Sequence, residues 1–92
     1  MRKIEWSVPA LDDLISAGDY IAQDNPTAAK RMAIRVKEAV ENLQDHPNLG
    51  RPGRLTDTKE LVVSGTPFIV VYWIKNGVVQ ILRVLHHARC WP

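Results

Sequence analysis

The spacing of hydrophobic and polar positions changes several times along the chain, and each change marks an element. Ile4 and Trp6 alternate with Lys3 and Glu5, the pattern of a short strand with one buried face. The period then lengthens. Leu11, Leu14, Ile15, Ile21 and Ala22 fall on one helical face, while Asp12, Asp13, Ser16, Asp19 and Gln23 fall largely on the other. Ser7 as N-cap and Pro9 in the first turn open this helix, which is predicted to run to about Asp24. Gly18 inside it costs about 1 kcal/mol relative to alanine, and is expected to let a neighbouring element pack closely.

Asn25-Pro26 supplies a second cap, with the proline at a first helical position where its missing N–H is not needed. From there Ala29, Met32, Ala33, Val36, Val40 and Leu43 repeat at i, i+3, i+4, i+7, and Lys30, Arg31, Arg35, Lys37, Glu38 and Glu41 take the other positions. The stripe is expected to bury against a sheet, and His46-Pro47 to end the helix. Asn48 to Thr58, with Gly50, Gly53 and Pro52, reads as a loop carrying Arg51 and Arg54. Leu61 to Val63 reads as a strand, Ser64 to Pro67 as a turn, and Phe68 to Ile74 as a strand apolar on both faces, hence central in its sheet. Asn76-Gly77 suits a type I′ turn and joins that strand to Val78 to Leu85 as a β-hairpin.

The order strand, helix, helix, strand, strand, strand predicts an α+β fold, β-α-α-β-β-β. An N-terminal strand and a helical hairpin are followed by a three-stranded antiparallel meander, with the helices packed on one face of the sheet. The helical hairpin is long enough to carry the chain across the sheet, so the first strand is expected to lie parallel to a C-terminal one. Residues 1–92 are read as one domain, because the chain has no linker, repeat or charge block. A domain of this size buries only roughly 60–65% of its unfolded surface, for which 46% hydrophobic residues are adequate.

Composition narrows the function classes. No apolar stretch approaches the roughly 20 residues of a membrane span, and the N-terminus lacks the apolar run of a signal peptide, so a cytoplasmic protein without a membrane partner is expected. The single cysteine, Cys90, fits a reducing compartment and has no dedicated base beside it that would mark a nucleophile. No metal or cofactor is expected. The net charge of +2 divides unevenly: residues 1–46 hold six basic and eight acidic residues, residues 47–92 six basic and two acidic. An anionic partner is therefore expected on the C-terminal half, unless those charges are only a solvated sheet edge and loop.

Specific motifs carry the reading further. The run Lys59-Glu60-Leu61-Val62-Val63, then Gly65-Thr66-Pro67-Phe68-Ile69-Val70-Val71-Tyr72, then Val79 through Ile81-Leu82-Arg83-Val84-Leu85-His86-His87-Ala88-Arg89 resembles the C-terminal half of RelE/ParE toxins of type II toxin–antitoxin systems. Trp6, Ala10-Leu11-Asp12-Asp13-Leu14, Tyr20-Ile21, Asn25-Pro26 and the turn from His46-Pro47 to Gly50-Arg51 match the same pattern in the N-terminal half. The resemblance implies a growth-inhibiting toxin of the kind associated with plasmid stabilisation, held inactive by a cognate antitoxin whose C-terminal segment wraps around it. DNA would then be met only indirectly, through the antitoxin. The helix pair and the sheet edge are the expected antitoxin surfaces.

The superfamily divides by target into ribosome-dependent mRNA endonucleases similar to RelE and DNA gyrase poisons similar to ParE, on one shared fold. RNA cleavage needs a base, an acid and cations around the phosphate. RelE-like toxins supply these with arginine and lysine on the central sheet and an aromatic hydroxyl near the C-terminus. With the central strands in register on Tyr72, the position of RelE's catalytic arginine falls at Ile69; helpful lysines are sparse, Lys59 being the one lysine between Lys37 and Lys75, and no tyrosine follows Tyr72. These departures place the chain closer to ParE.

In that reading the protein poisons DNA gyrase and blocks replication, and is an inhibitor and not an enzyme. Its target-binding candidates are Arg51, Arg54, Arg83, Arg89 and Trp91. The alternative is a ribosome-dependent mRNA endoribonuclease that inhibits translation, with His86 or His87 as acid or base, Arg83 and Arg89 on the phosphate, and Trp91, four residues after His87, stacking on a base. A third reading is a non-toxic module that serves the antitoxin as co-repressor. Each candidate also has a plainer role. Arg51 and Arg54 suit solvated loop charges, Arg83 suits neutralising Glu60 or another acid, and Trp6, Tyr72 and Trp73 suit sheet packing.

Overall fold

The computed structural model describes residues 2–86. The chain forms β1 (Lys3–Trp6), α1 (Val8–Ala22), α2 (Pro26–Asn42), β2 (Arg51–Pro52), β3 (Lys59–Val62), β4 (Phe68–Lys75) and β5 (Val78–His86). One five-stranded sheet has the order β1-β5-β4-β3-β2. β1 lies parallel to β5, with Lys3 opposite Val78 and Trp6 opposite Ile81, and the remaining pairings are antiparallel. The α+β class, the parallel first strand and the central place of β4 are as expected.

Local chemistry explains the boundaries. The Ser7 hydroxyl accepts from the Ala10 N–H at the start of α1, and the Asn25 side chain accepts from the Ala28 N–H at the start of α2. α2 stops at Asn42, ahead of His46-Pro47, where Leu43 and Gln44 tighten to bonds on the carbonyls of Val40 and Glu41. Asn76 and Gly77 have φ of 52° and 77°, as a type I′ turn requires. Two expectations need correction. The segment read as loop contains β2, because Arg51 and Pro52 pair with Glu60 and Lys59. Gly18 admits no close neighbour either, since a Cβ built there meets nothing within 4 Å.

The core lies between the helices and one face of the sheet. Met32, Val36, Val40 and Leu43 of the α2 region pack with Phe68, Val70 and Tyr72 of β4 and with Val79, Ile81 and Val84 of β5. Each large aliphatic side chain buried there stabilises the fold by about 1.5–3 kcal/mol relative to exposure. Ile69 and Val71 point to the other face and are buried as well, which agrees with the two-sided apolar pattern of β4. No helix among the described residues is long and apolar enough to cross a membrane.

Candidate functional site

The face of the sheet opposite the helices carries the charge. Cross-strand partners share a face, and the register strings Arg51, Glu60, Val71 and Arg83 into one row across β2, β3, β4 and β5. Glu60 is only 5% exposed; it accepts the Arg54 N–H at 3.2 Å and faces the Arg51 guanidinium at 3.6 Å. The next row is apolar, with Val62 opposite Ile69 and Ile69 opposite Leu85. A carboxylate thus stands between the basic side chains of this face, and Ile69 offers no polar atom of its own beside it.

Arg83 belongs to this row by register, but its guanidinium is held elsewhere. β1 pairs with β5 only as far as Ile81, and a bulge follows, because Ile81 faces Tyr72 while Arg83 faces Val71 and Leu82 is extra. Beyond Ile81 the start of α1 takes the place of a strand. The Ser7 hydroxyl donates to the Leu82 carbonyl at 3.0 Å, and Asp13 accepts the Val84 N–H at 3.0 Å. The same carboxylate grips Arg83 with two parallel bonds, Nε at 2.7 Å and Nη2 at 2.9 Å. The hydrogen bonds that Arg83 donates to Asp13 push the Arg83 pKa above its ordinary value.

Tyr72 is fully buried and structural. Its hydroxyl donates to the Pro47 carbonyl at 2.7 Å and accepts the Gly50 N–H at 2.9 Å, which fastens the segment after α2 to the central strand. Burial raises its pKa, and the bond from Gly50 offsets part of the rise. Trp6 and Trp73 are half-buried sheet residues, and Trp73 donates its indole N–H to Gln80 on β5.

The structure therefore separates several expected site residues. Arg51 lies against Glu60 on the face opposite the helices, the Arg54 backbone N–H donates to the same carboxylate, and the Arg83 guanidinium is drawn away to Asp13 of α1. His86 stacks edge-on against Phe68 with ring centroids 5.7 Å apart, on the helix-covered face and away from the row of Arg51 and Glu60. His87, Arg89, Trp91 and Cys90 lie outside the described residues. Two acids were not among the site candidates read from the sequence. Glu60 was legible as part of a strand, and Asp13 as one polar position of an amphipathic helix; only the register joins them to the arginines. Among the described residues no group of three or more His, Cys, Asp or Glu converges as a metal site would.

The sequence and the fold are similar to those of known proteins. The family described as ParE toxin of type II toxin–antitoxin system, parDE, matches residues 4–91. The Sinorhizobium fredii protein Y4kP is 42% identical over 91 residues, covering 99% of this chain and 94% of that one. Toxin RelE2 of Caulobacter vibrioides is 42% identical over 89 residues, covering 97% and 99%. Among solved structures, the chromosomal ParDE toxin–antitoxin system from P. aeruginosa superposes with a TM-score of 0.83 at 27% identity, covering 94% of this chain and 96% of that one.

Proposed function

The chain belongs to the family of ParE toxins of type II toxin–antitoxin systems, and from that premise we propose that it acts in the cytoplasm by binding DNA gyrase and blocking replication until its antitoxin captures it. The observation that carries this reading over RNA cleavage is the Asp13–Arg83 pair. A guanidinium gripped at both nitrogens by a carboxylate is already neutralised, and an RNA phosphate would have to displace Asp13 to use it. Arg51 likewise faces Glu60, whose carboxylate repels a phosphate on the same face. Tyr72, its hydroxyl held by two backbone groups, is not available as a proton donor. On this reading the toxin works as a shaped surface, with Arg51, Arg54, Arg83, Arg89 and Trp91 as target contacts, and residues 1–92 as a single functional unit.

A second reading has specific support. Toxin RelE2 of Caulobacter vibrioides is as similar by identity as any relative described above. Glu60 also lies beside Arg51, and a carboxylate is chemically able to take a proton from a ribose 2′-hydroxyl. The test is a gyrase cleavage assay with purified protein, supercoiled plasmid and ATP. Protein-dependent accumulation of linear, gyrase-linked DNA is expected. Intact supercoiling of the plasmid, together with cleavage of ribosome-bound mRNA, would transfer the assignment to the endonuclease.

A further inference from the structure

Residues 53–58, which join β2 to β3, are held in shape by their own backbone and by two side chains beneath them. The Gly53 N–H donates to the Thr58 carbonyl at 2.8 Å, and the Thr58 N–H and hydroxyl both donate to the Leu55 carbonyl, the hydroxyl at 2.6 Å. Gly53 lies so close to that hydroxyl that a Cβ on it would overlap the oxygen. Asp57 turns the chain with φ of 65°, a left-handed conformation that aspartate tolerates, and faces Lys75 of β4 at 3.7 Å. Glu60 completes the set, its carboxylate accepting the Arg54 N–H.

Thr58 and Glu60 are both buried. A connection between two strands at the sheet edge needs no buried carboxylate, and taking one out of water costs more than burying an apolar side chain of similar size. Here its bonds fix the loop. The shape so fixed brings Leu55, 43% exposed, to the surface between Arg54 and Thr56. A hollow of about 490 Å³, lined by residues 52–59, lies beside it. A loop held rigid while it presents an apolar side chain next to a hollow has the form of a recognition element.

We infer that this loop seats the toxin on its target protein, with Leu55 as the inserted side chain and the hollow, walled by Arg54 and Lys59, receiving a side chain of the target. The surface it fits is an apolar socket edged by carboxylates, because Arg51, Arg54, Lys59 and Lys75 outnumber Asp57 and Glu60 around it. The inference rests on the reading of the chain as a gyrase-binding toxin, and narrows that binding to one loop. A nucleic acid is one competing partner, but Leu55 offers a phosphate nothing, and Arg51 and Lys75 already face acids. The antitoxin is the other. α1 is seated on β5, whereas the loop lies at the far edge of the sheet, beyond β4, so capture on the helix pair leaves it open.

The experiment measures the concentration of purified protein that gives half-maximal plasmid cleavage by the DNA gyrase holoenzyme, for the wild type, Leu55→Asp, Leu55→Met, Thr58→Val and Thr58→Ser. Thermal melts show each variant folded, and calorimetry gives its affinity for the full-length cognate antitoxin. Leu55→Asp is expected to need at least about tenfold more protein, and Leu55→Met to act like the wild type. Thr58→Val, without the hydroxyl that holds the Leu55 carbonyl, is expected to fall between them, with Thr58→Ser restoring activity. Antitoxin affinity is expected to be unchanged throughout. Wild-type cleavage by Leu55→Asp would overturn the inference alone, as would a matching loss of its affinity for the antitoxin, or for the plasmid without gyrase. A folded wild type that yields no gyrase cleavage would overturn the gyrase reading, and this inference with it.

Discussion

A side-chain carbon added to Gly50 would stand 2.8 Å from the hydroxyl oxygen of Tyr72, the same oxygen that receives the Gly50 N–H at 2.9 Å. The two residues are fitted to each other: glycine lets the backbone come close enough to donate, and the tyrosine fills the space a side chain would need. Tyr72 is fully buried and cannot swing aside. Gly50→Ala is therefore expected to destabilise the fold by about 1–3 kcal/mol, measured as a lower urea midpoint with unchanged slope. A variant as stable as wild type would mean that the Pro47 to Gly50 segment is not held against Tyr72.

Tyr72→Phe keeps the ring but strands the Gly50 N–H and the Pro47 carbonyl. The expected loss is about 2 kcal/mol. It also changes the alkaline limb of stability. Burial holds the phenol of the folded protein above its ordinary 10.0, so the unfolded chain releases that proton first. The stability contributed by this group is full below about pH 10 and is lost as pH rises through the folded value. Melts from about pH 8 to pH 11 should show a shallower decline for Tyr72→Phe than for wild type. Parallel declines would contradict this.

Removal of Asp13 should cost more than removal of Arg83. Asp13→Ala leaves the Val84 N–H without a partner as well as breaking the ion pair, whereas Arg83→Ala leaves the Asp13 bond to Val84 in place. Because the Arg83 side chain is 36% exposed, solvent screening reduces the worth of the pair itself. The expectation is about 2 kcal/mol for Asp13→Ala and about 1 kcal/mol for Arg83→Ala. A double-mutant cycle by chemical denaturation measures the coupling, and equal losses in the two single variants would refute the bridging role of Asp13.

Gly18→Ala should raise stability by about 0.5–1 kcal/mol, because the position is mid-helix and a Cβ there meets no atom. A thermal melt decides it. Destabilisation would show that a neighbour does pack against this turn of α1.

Target choice is read out by growth. If gyrase is the target, His86→Ala and His87→Ala should each arrest growth like the wild type, with filamentation and DNA-damage signalling. Loss of arrest in His87→Ala with a folded protein, and immediate arrest of translation in the wild type, would support RNA cleavage instead.

Much of the fold could be read from the chain because its signals are local. Alternation in Lys3–Trp6, the caps Ser7 and Asn25, and the turn Asn76-Gly77 each act within a few residues. β2 escaped notice because two residues with no alternation, one of them a proline, become a strand only through pairing with Lys59 and Glu60. The pairing of Arg83 with Asp13 was hidden for the same reason. The acid needed to balance Arg83 was anticipated, but the bulge at Leu82 and the stop of β1 at Trp6 decide that it comes from α1 and not from Glu60. Gly18 misled in the other direction, since composition cannot tell a glycine under a neighbour from one facing open space.

The meeting of β1 and α1 with β5 also sets when the protein can exist. The hydroxyl of Ser7 donates to the carbonyl of Leu82, 75 residues away along the chain, and Lys3 to Trp6 gain their strand partner only when Val78 to Ile81 are present. A chain emerging from the ribosome must therefore leave its first strand unpaired until Val78 to Ile81 have been made. A fragment that ends before Val78 lacks β5, and with it the hairpin partner of β4, the parallel partner of β1 and the seat of α1.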